Sequence, residues 1–412
     1  MSAAAATGKK LRIAALGCGR MGQHHVNNIR YRTPRAQLVA IADPGPLAAQ
    51  WVKENMPDVP PDVGGASPFT PFTPLTSAPR LHDPLGFLQV ALSYIVRVVW
   101  ANAANPVRPS FYSNPEEVFD LPDVDAVVIS TTTNTHAPLT IKAIEKGKHV
   151  LLEKPISIDV ADSKPVVEVA NANPAVKVMI GFVRRYDTAL NQLYDHITSN
   201  AAGKPFILKS TTCDAFGGIF MDCGIHDIDM TRWLLNVNST TAHSGLHDLT
   251  QSSAPVTQPA KQVKRVIATG SIVAHPELKE QDDCDNALGI VEFANGATCT
   301  LHLSRTGMNG YESTVEVYGL EQKLTVETPD RSRVKVADGH GRRFESTPKY
   351  IERFGEAFVN EMNAFAECCL DDKPVKTTPD DALQAAIIAK ALTHSFRTGL
   401  PVEFDEQGEP RI

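Results

Sequence analysis

The run Leu11-Arg12-Ile13-Ala14-Ala15-Leu16, followed at once by Gly17-Cys18-Gly19-Arg20-Met21-Gly22, leaves this chain few folds to choose from. The apolar run has the pattern of a strand buried on both faces, as in a parallel sheet. Glycines at this spacing allow a tight turn, a close approach of the backbone to a pyrophosphate, and close packing of the next helix. That helix is expected over 21–29, with its first amides facing the phosphates. A second apolar run, 38–42, ends at Asp43. This is the place where a carboxylate can accept hydrogen bonds from a ribose diol. Asp43 would repel a 2′-phosphate and no Arg follows to offset it, so the pattern selects NAD over NADP.

Strands and helices then alternate. Ala126–Ile129 reads as a strand, 130–134 as a polar loop, 136–146 as a helix stopped by Gly147, and His149–Leu152 as another strand. The expected class is α/β: a Rossmann domain over 1–156, then an α+β domain over 157–412 built on a large, mostly antiparallel open sheet. Alternating runs at 266–273, 287–293, 297–304 and 313–318 supply that sheet, with Asn295-Gly296 as a hairpin turn. Thr378-Pro379-Asp380-Asp381 opens a helix that stops near Gly399. Two segments fit neither domain, the Pro-, Ser- and Thr-rich 57–109 and the polar 238–262. Both read as disordered surface insertions or as intron translated in error.

The formal net charge of −7 argues against nucleic acid or an anionic membrane as partner. The N-terminus is Ala-rich first and basic second, the wrong order for a signal peptide, so a cytoplasmic location is expected. Seven scattered cysteines include no CxxC pair and no zinc-ligand spacing, so they read as reduced, mostly structural thiols with no metal site.

Four motifs in order carry a resemblance: the glycine loop with His25, Glu153-Lys154-Pro155, Gly181-Phe182-Val183-Arg184-Arg185-Tyr186-Asp187, and Asp222-Cys223-Gly224-Ile225-His226-Asp227-Ile228-Asp229. Together they resemble the glucose–fructose oxidoreductase / inositol dehydrogenase (Gfo/Idh/MocA) family, above all its myo-inositol 2-dehydrogenase-like members. The resemblance implies a cis peptide at Lys154-Pro155 and a homodimer or homotetramer formed through the C-terminal sheet. It implies an NAD-dependent dehydrogenase that oxidises a ring hydroxyl of a cyclic polyol or sugar, an inositol giving a keto-inositol. Two alternatives stay open: an aldose dehydrogenase for xylose or glucose, and a non-catalytic NAD(P)-binding transcriptional regulator of the same fold.

Alcohol oxidation needs a base for the hydroxyl proton while hydride leaves the same carbon. Asp222 and His226 are spaced i, i+4, one face of a helix expected from about Asp222 to Leu235, so the carboxylate could orient the imidazole. His226 is the candidate base. Lys154, by resemblance, donates to the substrate oxygen. Simpler readings exist: Asp222 as a helix cap, His226 as a core histidine, Lys154 as a surface residue. Gly17, Gly19, Arg20, Met21, Asp43, Glu153 and Lys154, with Thr131, Thr132, Asn134 and His136 after a Rossmann strand, are the expected cofactor contacts. Arg184 and Tyr311 are expected to reach the substrate together with Lys154, Asp222 and His226. Asp229 is expected either in the same cleft or in a salt bridge. Between Asp214 and Gly217 only two residues stand where the family carries a longer covering loop. Thr211-Thr212-Cys213 also replaces the His and Asn that inositol dehydrogenases tend to place there.

Overall fold

The computed structural model describes residues 8–57, 59, 108–213, 218–235, 263–307, 310–332, 334–343 and 345–412. The segment 238–262 lies outside the described residues, as does nearly all of 57–109, so the expectations for both fall there. The residues 214–217, which carry the short loop, are likewise outside.

Strands β1 (Leu11–Leu16), β2 (Ala36–Ala42), β3 (Ser110–Tyr112), β4 (Ala126–Ile129), β5 (His149–Leu152) and β6 (Val178–Ile180) form one sheet in the order β3-β2-β1-β4-β5-β6. Every pair in it is parallel. All four residues of β4 are buried, which is why its sequence is continuously apolar rather than alternating. Helices α1 (Arg20–Arg32), α2 (Pro46–Asn55), α3 (His136–Glu145) and α4 (Val160–Ala172) connect the strands. Strand order reverses between β1 and β4, which opens a crevice at their carboxyl ends. The expected boundary at residue 156 falls inside this sheet, because β6 pairs with β5 beyond it. Three residues are too short for periodicity to announce a strand.

The second sheet has seven strands. They are β7 (Pro205–Cys213), β8 (Val263–Ser271), β9 (Asn286–Phe293), β10 (Thr298–Ser304), β11 (Glu312–Gly319), β12 (Lys323–Val326) and, following the small hairpin β13 (Val336–Asp338) and β14 (Gly341–Arg343), β15 (Val402–Glu403). The order is β12-β11-β7-β10-β9-β8-β15, antiparallel except for the β7–β10 pair. Helices α5 (Thr188–Thr198), α6 (Ile225–Leu234) and α8 (Pro379–Thr398) pack on this sheet. Among the described residues no helix packs on the opposite face, where Ile267, Leu288 and Ile290 are exposed. Helix α8 starts as expected: the Thr378 hydroxyl accepts from Asp381 N while the Asp381 carboxylate accepts from Thr378 N. It ends at Gly399, whose φ of +71° suits glycine.

Helix α7 (Tyr350–Leu370) was not anticipated, and it ties the two halves together. Arg32 of α1 meets Glu356 at 2.6 Å and its carbonyl accepts from Asn363 Nδ2. Tyr350 Oη lies 2.8 Å from Met21 Sδ. One face of α7, at Tyr350, Phe354 and Phe358, therefore stands over the crevice.

Candidate active site

The crevice widens into a cleft of about 450 Å³ between the two sheets. Its floor is the glycine loop. A Cβ on Gly17 would lie 2.5 Å from Ser130 O, and one on Gly22 would lie 1.9 Å from Gly17 O, so neither position admits a larger residue. Gly19 is different: a Cβ there would meet nothing within 4 Å. It is also the N-cap of α1, with no side chain capping the helix amides. Open space before uncapped amides is what a pyrophosphate requires. Arg20 and Met21 line the same region, the Arg20 guanidinium 5.3 Å from the centre of the Tyr350 ring.

Asp43 follows β2 directly and faces the cleft. Its carboxylate accepts from Cys18 N at 2.6 Å and from Gly45 N at 2.7 Å, which fixes it beside the loop. These observations fit a dinucleotide whose ribose hydroxyls would be held by Asp43 and whose phosphates would lie over Gly19. The Cys18 thiol is pushed up to about 12 by burial and by Asp43, so it stays protonated and unreactive.

On the β4 side, Thr131, Thr132 and His136 line the cleft, whereas Asn134, expected with them, does not. Asn134 is in the short 3₁₀ turn Thr133–Thr135. The His136 ring is already engaged, with Nδ1 2.8 Å from Pro155 O and Nε2 3.1 Å from Thr131 O. It braces the loop against the Glu153-Lys154-Pro155 turn rather than offering a free donor. The Lys154-Pro155 peptide is cis. Glu153 Oε1 is 2.7 Å from His25 Nε2. Burial opposes ionisation of Glu153, but the His25 hydrogen bond and the charges of His25 and Lys154 outweigh it, leaving the carboxyl below its ordinary range.

Lys154 Nζ crosses to the second half of the chain and donates to Asp222 Oδ1 at 2.6 Å and to Asp222 O at 3.1 Å. Here the structure corrects the sequence reading. Asp222 is not on the helix of His226. It lies in a π-helical turn, Ile219–Cys223, and α6 begins only at Ile225, with Gly224 as its N-cap. Neither the i, i+4 pairing nor the capping role applies, and the Asp222 carboxylate holds Lys154 instead of orienting the imidazole. Gly224 sets the joint, since a Cβ there would lie 2.6 Å from Leu303 Cδ1.

His226 lines the cleft beside Lys154, with its Nδ1 buried and, among the described residues, without a hydrogen-bonding partner. Burial, then the positive charges of Lys154 and Arg184, push the imidazole well below its usual pKa. It is therefore neutral at physiological pH, the form that can accept a proton.

Arg184 and Tyr311 form the far wall. Arg184 is buried, donating to Asp227 Oδ1 at 2.9 Å, to Thr212 Oγ1 at 2.9 Å and to Tyr311 Oη at 3.2 Å. Asp227 also accepts from the hydroxyls of Ser210 and Thr212. Asp229 faces away from this wall, paired with Arg185 at 2.8 Å in a buried network that includes Asp381. Of the candidates, the cleft gathers all but Asn134. Sequence reasoning missed Thr212 and the aromatic row Tyr350, Phe354 and Phe358. That row was legible as aromatic residues spaced four apart.

Comparison with known proteins agrees with this geometry. A family model described as "Oxidoreductase family, NAD-binding Rossmann fold" matches residues 93–182. Another, "Oxidoreductase family, C-terminal alpha/beta domain", matches 214–404. The chain is 29% identical over 406 residues to the scyllo-inositol 2-dehydrogenase (NAD(+)) of Bacillus subtilis (strain 168), covering 96% of this chain and 97% of that one. It is 26% identical over 306 residues to the myo-inositol 2-dehydrogenase of Thermotoga maritima, covering 72% of this chain and 84% of that one. Among solved structures, scyllo-inositol dehydrogenase from Lactobacillus casei with bound cofactor NAD(H) and scyllo-inositol superposes with a TM-score of 0.74 at 22% identity, over 96% of this chain and 99% of that one.

Proposed function

Because this chain belongs to the Gfo/Idh/MocA oxidoreductase family, we propose that it is an NAD-dependent inositol 2-dehydrogenase, oxidising one ring hydroxyl of a cyclic polyol to a ketone. The observation that carries this reading is the convergence of Lys154, Asp222 and His226 in a cleft that also contains the open Gly19 amides and Asp43. NAD would supply the hydride acceptor. Lys154 donates a hydrogen bond to the reacting oxygen, and Asp222 holds the ammonium in place. His226, neutral and half-buried, accepts the hydroxyl proton. Arg184, Tyr311 and Thr212 present donors and acceptors to the remaining hydroxyls. The aromatic row on α7 excludes water from one side of the cleft.

The reading is tested by following NADH absorbance with scyllo-inositol, myo-inositol, xylose and glucose, each with NAD and NADP. An inositol with NAD is expected to give the largest kcat/KM. A larger value for an aldose would favour the aldose dehydrogenase reading. No turnover with any polyol, despite NAD binding, would favour a cofactor-binding regulator. Asp43→Ala should weaken NAD binding about 10- to 100-fold, the scale of losing a hydrogen bond to a charged group, and so erode the preference over NADP. Unchanged discrimination in a binding titration would remove Asp43 from the ribose site.

The open face of the second sheet, with Ile267, Leu288 and Ile290 exposed, supports assembly of like chains through that face. Sedimentation should give a homodimer or homotetramer, and Ile290→Lys should shift it toward monomer. A wild-type monomer at assay concentration would count against this. None of the seven cysteines is joined in a disulfide, and among the described residues no helix is long and apolar enough to cross a membrane. Both support the proposed cytoplasmic location.

A further inference from the structure

The turn that carries Asp222 begins without a cap of its own. It spans Ile219–Cys223, and its N-cap is Gly218, which has no side chain to meet the first amides. Within the turn, Gly218 O accepts from Asp222 N at 3.1 Å and from Cys223 N at 2.9 Å, and Ile219 O accepts from Gly224 N at 2.9 Å. The acceptor for the first amide comes from 64 residues further along the chain, where Asp283 Oδ2 accepts from Ile219 N at 3.4 Å. The same oxygen accepts from Arg305 Nη2 at 2.7 Å, while Asp283 Oδ1 accepts from Cys284 N at 2.9 Å.

Both partners of this pair are anchored. Arg305 directly follows β10, is buried, and donates through its backbone N to Asp285 O at 2.7 Å. Asp285 is itself buried, and its carboxylate accepts from the amides of Val273, Ala274 and His275 and from Asn286 Nδ2. Strand β10 also packs against the turn. Gly218 sits beside the pair, since a Cβ there would lie 3.9 Å from Asp283 Oδ2 and 4.0 Å from Arg305 Nη2. A buried ion pair is a poor source of stability, because desolvation offsets much of its attraction. What this one supplies is direction: Arg305 holds the Asp283 carboxylate with Oδ2 against the first amide of the turn.

What Asp222 contributes to the mechanism depends on how that turn is set. Its Oδ1 and its backbone O both accept from Lys154 Nζ, at 2.6 and 3.1 Å, so a rotation of the turn carries both acceptors away together. Helix α6 starts at Ile225, immediately beyond the turn, so His226 shares the same joint. We propose that Asp283 and Arg305 are positioning residues for the reaction, fixing the π-helical turn so that Asp222 keeps Lys154 aimed at the reacting oxygen. Neither side chain lines the cleft, and both act through Asp222. This rests on the reading of the cleft as a dehydrogenase site.

The test is a double-mutant cycle on the full-length chain, assayed with NAD and with scyllo-inositol or myo-inositol, whichever turns over faster. Asp283→Ala should lower kcat about 10- to 100-fold, the scale of a small misplacement of a catalytic group, with KM for NAD little changed. In an Asp222→Asn background the same substitution should change kcat less than about 2-fold, because the contact it serves is already lost. A general loss of folding would lower kcat by the same factor in both backgrounds, and equal factors overturn the proposal. A second readout needs no turnover: the rate at which acetic anhydride labels Lys154, followed by mass spectrometry. Asp283→Ala should raise that rate to the level of Asp222→Asn, and a rate unchanged from the wild type overturns the proposal. If the wild type oxidises neither inositol, the dehydrogenase reading fails, and labelling alone decides whether the pair sets Asp222 against Lys154. Asp283→Ala strands a buried cation; if it does not fold, Asp283→Ala combined with Arg305→Met takes its place, with the same expected results.

Discussion

His226→Ala is expected to lower kcat by about 10²- to 10⁴-fold, the range for loss of a general base, while NAD still binds with near wild-type strength. The imidazole is neutral because burial and the neighbouring Lys154 and Arg184 disfavour its cationic form. The acid limb of kcat/KM in the wild type should therefore fall below the ordinary histidine pKa of 6.5. The sign of a second change follows. Lys154→Met removes a charge that depresses His226, so whatever activity remains should show its acid limb moved to higher pH. An unmoved limb would mean that another group takes the proton.

Asp227→Ala should destabilise the fold by about 3–5 kcal/mol, the cost of stranding a buried cation without its partner. Asp227 is fully buried, and Arg184, its partner at 2.9 Å, is nearly so. Replacing both, as Arg184→Met with Asp227→Leu, should cost less than Asp227→Ala alone, because no uncompensated charge remains. Urea denaturation of the wild type and the two variants measures this. By contrast, breaking the more exposed Arg12–Asp125 pair should change stability by at most about 1 kcal/mol. Comparable losses at both places would mean that burial is not what sets the cost.

Much of this was legible in the sequence where a residue's role is fixed by local geometry. The glycine loop could be read because only glycine fits at Gly17 and Gly22, and strand β4 because both its faces are buried. The start of α8 could be read because its cap is made by neighbours in sequence. The Asp222–Lys154 contact could not, because a 68-residue separation leaves no periodic signal and a π-helical turn breaks the spacing that seemed to join Asp222 to His226. Strand β6 was missed for its brevity, which put the domain boundary too early. The burial of Glu361 on α7 was invisible because an acidic residue in an amphipathic helix is ordinarily a solvated one. Only packing of α7 against α1 and the turn Val183–Tyr186 makes it otherwise.

The central claim, direct hydride transfer from a ring carbon in this cleft, is tested by supplying inositol deuterated at its ring carbons together with NAD and analysing the cofactor by mass spectrometry. Deuterium should appear on the nicotinamide of the reduced cofactor in the wild type and fall with kcat in His226→Ala. Reduced cofactor without deuterium, or label found only in water, would contradict it.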